Sequence, residues 1–296
     1  MRPISSSVTR SLAQVGAGNA LPNARAEVDV LRQQLATGKR IVRPSDDPGG
    51  YAQARALGRV EQRLAVHERT LDAVSLWTDR TQDALGALSE LFANANEAAL
   101  RAANGVADPE ALASQIDALR AEVVTGLNAK SGDEYLFAGN ATKTPPLRLP
   151  DGSVTTEDVD GTRTREVAPG ITLTLNIPGT EAIYVDGVPA TEHLEALAEA
   201  IRTGDAEGIQ TGVAATRAAL EHYTDLEGRS GAVSARIADA RASVEQQAVQ
   251  TADARANIEE IDLAEVLGAL QRRQTGLEAA LRATAEAAQQ TLLNYL

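Results

Sequence analysis

A heptad pattern running without interruption from Leu57 to Ala102 limits the folds open to this chain more than any other feature. One seam position holds Leu57, Leu64, Leu71, Thr78, Leu85, Phe92 and Ala99, and the other holds Val60, His67, Val74, Thr81, Leu88, Ala95 and Ala102. Only His67, Thr78 and Thr81 break the apolar run. A 3,4 spacing sustained this far specifies one continuous helix whose seam faces another helix. Counted from Asp46 to Ala103 at about 1.5 Å per residue, that helix is roughly 85 Å long and needs a partner of similar length. The partner lies downstream. Val233, Ile237, Ala240, Val244, Thr251, Ile258 and Ile261 form a second heptad-like stripe, and Leu263, Leu267, Leu270, Leu277 and Leu281 continue it after a phase shift near Asp262. The helical text resumes at Glu207, passes Leu220 and Leu226, and is expected to break at Gly228–Gly231.

Aromatic residues make up only 3% of the chain, too few for a large compact core, and alanine and leucine carry the apolar load instead. That composition suits long helices packed side by side. The expected fold class is therefore mainly α: an elongated antiparallel long-helix rod, with paired terminal helices and a small β-rich outer domain inserted at the tip.

The two ends of the chain fit each other. Val8, Leu12 and Val15, then Val28, Leu31 and Leu35, fall at helical spacing, and the last segment from about Ala254 to Leu296 is helical in composition. Gly16, Gly18, Asn19 and Pro22 lie between the two N-terminal groups, so a break or kink is expected near 16–22. Pro44-Ser45-Asp46-Asp47-Pro48 is a turn followed by a helix start, in which Ser45 can cap, the two aspartates complement the helix dipole, and a first-turn proline loses no bond. Asp108-Pro109 repeats the signal and opens a shorter helix through Leu112, Ile116, Leu119, Val123 and Leu127, ending near Gly132. From Tyr135 to Pro189 the pattern changes to Asp-Gly and Pro-Gly turns around short runs. Ile171-Thr172-Leu173-Thr174-Leu175 alternates as a half-buried strand, and a helix follows over about Glu192 to Arg202.

Chemistry is not indicated. Twenty-eight basic against 41 acidic residues give a net charge of −13, which disfavours binding nucleic acid or an anionic membrane. No apolar run approaches the ~20 residues of a membrane span, and Pro3, Ile4 and three serines stand where a signal peptide would carry its apolar segment. Cysteine is absent, so thiolate sites and disulfides are excluded. Thr37-Gly38-Lys39 is preceded by Gln33 where a phosphate-binding loop needs its first glycine. His67, His193 and His222 have no second ligand at metal spacing. Asn140-Ala141-Thr142 is a formal glycosylation sequon, a tripeptide that chance supplies often. No nucleophile–base set can be assembled, and the expectation is a non-enzyme without cofactor or metal.

Leu35-Ala36-Thr37-Gly38-Lys39-Arg40-Ile41 followed by Pro44-Ser45-Asp46-Asp47-Pro48 resembles the N-terminal signature of the bacterial flagellin family. Tyr135-Leu136-Phe137-Ala138-Gly139-Asn140 with Thr142-Lys143-Thr144-Pro145, then Val167-Ala168-Pro169-Gly170 and the ending Leu292-Leu293-Asn294-Tyr295-Leu296, look like those members of the family that sit at the hook–filament junction. The resemblance spans essentially the whole length. It implies an inner terminal coiled-coil domain (1–43 with 262–296), a long-helix middle domain (44–134 with 206–261) and a β-rich outer insertion (135–205). It also implies a structural role in the flagellum, as a junction ring between hook and filament that templates filament assembly, and export by the flagellar type III apparatus without a cleaved signal. The implied partners are a hook-side junction protein (hook-associated protein 1), flagellin, a dedicated export chaperone and further copies in the ring, with no nucleic acid and no membrane. The subunit interface is expected at Val8, Leu12, Val15, Leu31, Leu35, Leu277, Leu281, Leu292, Leu293, Tyr295 and Leu296. The competing readings are a filament-forming flagellin and a non-flagellar helical scaffold or signalling coiled coil.

Overall fold

The structure is a computed structural model that describes residues 5–105, 108–148, 152–155 and 159–293, with side chains described from residue 21 to 285 within that range. The fold is mainly α, with long helices and small β pieces. In chain order the elements are α1 (Ser5–Thr37), α2 (Pro48–Ala103), α3 (Pro109–Leu127), β1 (Lys130–Ser131), β2 (Glu134–Tyr135), β3 (Thr164–Ala168), β4 (Ile171–Thr174), α4 (Gly179–Ile183), β5 (Tyr184–Val185), β6 (Val188–Pro189), α5 (Ala190–Thr203), α6 (Ala206–Glu259) and α7 (Leu263–Leu293). The chain forms two compact units, residues 1–62 with 248–296 and residues 63–247.

In the second unit the heptad of α2 is a core seam. Leu64, Leu71, Leu85, Leu88, Phe92, Ala95 and Ala99 are buried, and so are Thr78 and Thr81. Each threonine hydroxyl donates to a carbonyl of its own helix four residues earlier, which removes the penalty of burying it. Facing residues of α6 run in the opposite direction: Asn96 bonds the Val213 carbonyl and Thr216, Phe92 stacks on Tyr223, Gln82 bonds Ser234, and Asp72 pairs with Arg241. The two helices are therefore antiparallel.

The expected break at Gly228–Gly231 is absent, because α6 is one helix of 54 residues. Each glycine costs a helix about 1 kcal/mol. The stripe Ile209, Gly212, Thr216, Ala219, Tyr223, Leu226, Ser230, Ile237, Ala240 and Val244 nevertheless stays buried on both sides of them in unslipped 3,4 register, and its packing outweighs that loss.

Asp108 caps α3 through the Glu110 N–H, with Pro109 in the first turn. The helix ends at Leu127 and not near Gly132. Asn128 stops it by turning its side chain to the main chain of Leu147, both donating to the carbonyl and accepting from the N–H. Lys130–Tyr135 then forms the first of three two-stranded antiparallel hairpins, which make no continuous sheet among the described residues. Leu173 is the buried residue of β4, while Ile171 sits beside the turn and is exposed. Leu136, Phe137, Leu147, Val159, Ile177 and Ile183 share one core with α3, α5 and the facing stretches of α2 and α6. The phenol of Tyr223 is buried within it and donates to the Ala182 carbonyl at 2.9 Å. Burial raises its pKa beyond the usual phenol range.

In the first unit α1 and α7 lie against each other. The ion pair Glu27–Arg273 and the bridge Lys39–Glu260 give the antiparallel sense. Helix α1 passes through 16–22 without the expected break. Pro22 removes a single hydrogen bond, and Ala17, Ala20, Leu21, Ala24 and Ala26 around it are strong helix formers. The phase shift near Asp262 is a helix end and restart. Helix α6 stops at Glu259, and the Asp262 carboxylate caps α7 through the N–H groups of Ala264 and Glu265.

Candidate functional site

The segment from Thr37 to Asp47 and the junction of α6 with α7 form one node. Gly38 leaves α1 with φ +68°, a left-handed conformation that lets the chain turn at once toward α6. The Arg40 N–H donates to the Glu259 carbonyl at 2.6 Å, and the Ile261 N–H donates to the Gly38 carbonyl at 3.2 Å. Side chains reinforce this. Lys39 Nζ donates to Glu259 Oε2 at 2.7 Å, and Arg255 reaches the same oxygen at 3.3 Å while donating to Glu61 Oε2 at 2.6 Å. Arg40 holds the Ile258 carbonyl at 3.1 Å and Asp47 at 3.3 Å, and Gln34 donates to the Arg40 carbonyl at 3.1 Å.

The Glu259 side chain is 12% exposed. Burial alone would raise its pKa, but the hydrogen bond from Lys39 and the charge of Arg255 outweigh it and hold the carboxyl below its usual range.

The turn that follows is organised by its two aspartates. Asp46 Oδ2 accepts the N–H groups of Arg43 at 2.8 Å and Val42 at 3.0 Å, and these bonds hold its pKa down. Asp47 Oδ1 accepts the Gly50 N–H at 2.9 Å, which lowers its pKa too, and its carbonyl accepts the Tyr51 N–H. Asp47 is thus the cap of α2 and Pro48 its first residue. Ser45, the expected cap, stands exposed in the turn, because the helix begins too late for its hydroxyl to reach the N3 amide. Buried Ile41 closes the turn against Gly50. A Cβ on Gly50 would lie 2.6 Å from both Ile41 Cδ1 and Asp47 Oδ2.

Of the expected interface residues, Leu31, Leu35 and Leu277 are half-buried in the α1–α7 pair and Leu281 is 38% exposed. Val8, Leu12 and Val15 fall in α1 and Leu292 and Leu293 in α7, but their side-chain surroundings lie outside what is described. Tyr295 and Leu296 lie outside the described residues altogether. Pro44 and Pro48 are exposed at the two ends of the turn. Sequence reasoning missed the ionic centre Lys39–Glu259–Arg255–Glu61. Each member looks like an ordinary surface charge, and only folding brings partners up to 220 residues apart together. Among the described residues no group of His, Asp and Glu could hold a metal ion, and no helix is long and apolar enough to cross a membrane.

Known proteins resemble this chain in sequence and in fold. Over 131 residues the chain is 30% identical to flagellar hook-associated protein 3 of Escherichia coli, covering 43% of this chain and 41% of that protein. Over 154 residues it is 27% identical to flagellar hook-associated protein 3 of Salmonella typhimurium, covering 49% of each. The matches thus span less than half the length of these relatives. The solved structure of a putative flagellar hook-associated protein from Vibrio parahaemolyticus shares the fold, with a TM-score of 0.67 at 16% identity over 73% of this chain and all of that one. Residues 8–142 match the bacterial flagellin N-terminal helical region and residues 213–296 the bacterial flagellin C-terminal helical region, so that both terminal helices and the node between them fall in matched segments. The chain belongs to the bacterial flagellin family.

Proposed function

We propose that this chain is a structural component of the bacterial flagellum that forms the junction ring between hook and filament and templates filament assembly. The observation that carries the proposal is the pairing of α1 with α7, built from family-matched termini on a chain whose relatives are hook-associated proteins. The pair leaves apolar surface uncovered. Leu263, Leu267 and Leu281 fall within about 40° of one another around α7 and are 61%, 52% and 38% exposed. A helix edge of this kind is covered when neighbouring subunits pack together. With Val8, Leu12, Val15, Leu31, Leu35, Leu277, Leu292, Leu293, Tyr295 and Leu296 it forms the subunit interface of an inner domain (1–43 with 262–296). Residues 44–134 with 206–261 form the middle domain and 135–205 the outer one.

The partners in this reading are the hook-side junction protein on one face, flagellin on the other and further copies around the ring. The chain travels through the flagellar export apparatus with a dedicated chaperone, and it has no catalytic role. Immuno-electron microscopy of intact flagella tests the proposal. A single labelled band between hook and filament is expected, together with shedding of flagellin from cells that lack the chain. Label along the whole filament would instead identify a filament-forming flagellin.

A further inference from the structure

The second unit carries two faces of opposite charge with unused partners. The first is a groove of about 500 Å³ between α2 and the β3–β4 region. Trp77 lies along it, and the Arg163 guanidinium stacks over the indole at 5.0 Å from the ring centre. Glu134, the carboxylate of this groove, is already held by Arg163 and Thr142. Arg69 and Arg165 are the other charged residues of the lining, and no carboxylate pairs with either among the described residues. On a chain of net charge −13 such an uncompensated basic groove is the exception. An aromatic wall with planar guanidinium forks suits carboxylates presented from a protein surface.

The second face supplies them. Asp79, Asp83, Glu90 and Glu97 are exposed, and their spacing of i, i+4, i+11 and i+18 puts them within about 40° of one another on α2. Asp72, in line with them, is taken by Arg241. The other four form no ion pair among the described residues. The α2 residues Arg69, Ala73 and Trp77 lie roughly 60°, 100° and 140° around the same helix from the centre of this ridge. The two faces therefore point different ways and cannot meet within one copy.

We propose that the Trp77–Arg163 groove of one copy receives the Asp79–Glu97 ridge of the next. Such a contact is heterologous, since each copy offers a groove on one side and a ridge on the other, and repeated with a closing rotation it generates a ring. It rests on the junction-ring reading and identifies the lateral contact of that ring. Like charges at the groove–groove and ridge–ridge encounters exclude the alternative pairings.

The test uses the full chain in assembled flagella and exploits its lack of cysteine. Ala73→Cys places a thiol in the groove, and Ala87→Cys places one beside the ridge. The two positions are about 21 Å apart along one helix, beyond reach of an internal disulfide. Oxidation of flagella carrying the double variant is expected to give a ladder of covalent multimers beyond the dimer, and the single variants none. Adding Arg69→Glu and Arg165→Glu abolishes the ladder, and Asp83→Arg with Glu90→Arg in the same chain restores it. Four results overturn the proposal: no ladder while immunolabel still marks one band at the filament base, which leaves the junction role standing; dimers from Ala73→Cys alone; a ladder indifferent to the charge reversals; or no band at the base, which removes the junction role with it.

Discussion

Glu259→Gln keeps the shape of the side chain and one acceptor oxygen while deleting the charge that Lys39 and Arg255 share. Hydrogen bonds to a charged group contribute about 1.5–3 kcal/mol, whereas exposed ion pairs contribute about 0.2–1 kcal/mol. Lys39 is 43% exposed and Arg255 32%, against 12% for Glu259, so the site lies between these limits. A loss of about 1.4 kcal/mol is expected, which raises the local opening equilibrium about tenfold. Hydrogen exchange reads it directly, because the Arg40 N–H bonds the Glu259 carbonyl and the Ile261 N–H bonds the Gly38 carbonyl. Both amides should exchange about tenfold faster in the variant at neutral pH, and those of α3, in the other compact unit, should not change. A cycle with Lys39→Met should show that the two substitutions are not additive. Unchanged exchange at Arg40 and Ile261, or equal acceleration in α3, would refute the assignment of Glu259 as the ionic centre of the node.

Further outcomes follow from other sites. The pKa values of Glu259, Asp46 and Asp47 are depressed in the folded chain, so the stability these groups add is complete above their ordinary values of 4.5 and 3.8 and is lost as pH falls through the lowered ones. The exchange difference between wild type and Glu259→Gln at Arg40 should accordingly shrink once the pH drops below about 4.5. Phe92→Ala removes a fully buried ring stacked on Tyr223 at 5.2 Å; a loss of about 3–5 kcal/mol and a fall of roughly 10 °C in the Trp77 fluorescence melting temperature are expected. Gly139→Ala should destabilise the hairpin region by more than about 1 kcal/mol in the same melt, because Gly139 has φ +54° and an added Cβ would lie 2.2 Å from the Val159 carbonyl oxygen. Leu281→Asp, at a site 38% exposed, should leave the circular dichroism melt of the isolated chain unchanged yet block its incorporation into flagella.

What could be read from the chain alone was whatever repeats locally. Most of the α2 heptad survives as a buried seam, with Leu57, Val60, His67 and Ala102 only half-buried, and Asp108-Pro109 caps α3 as written, since both depend on neighbours within a turn or two. The misplaced features share a different cause. Gly228, Gly231 and Pro22 are unfavourable to helices by propensity, yet tertiary packing and strong helix-forming neighbours carry α6 and α1 through them. The end of α3 was set by Asn128 reaching Leu147, a partner 19 residues away. Ser45 and Asp47 are both good capping residues, and only the start of α2 at Pro48 decides between them. The ionic node had a single local signal, the i,i+4 spacing of Arg255 and Glu259, and nothing that pointed to Lys39 or Glu61. The carboxylate of Glu259 has the same spacing in sequence as any solvent-facing glutamate.

The separation of 220 residues between Lys39 and Glu259 also sets a timetable. Local helices such as α3 can form as soon as their own residues are free, but the node closes only when chain segments near both ends are present together. If the N-terminus emerges first, the Thr37–Asp47 segment waits with its donors unmatched until almost everything else has arrived. Closure of the node is then a late completion signal, followed only by the α1–α7 pairing that its downstream residues supply, and one that a truncated chain ending before Ile258 cannot make.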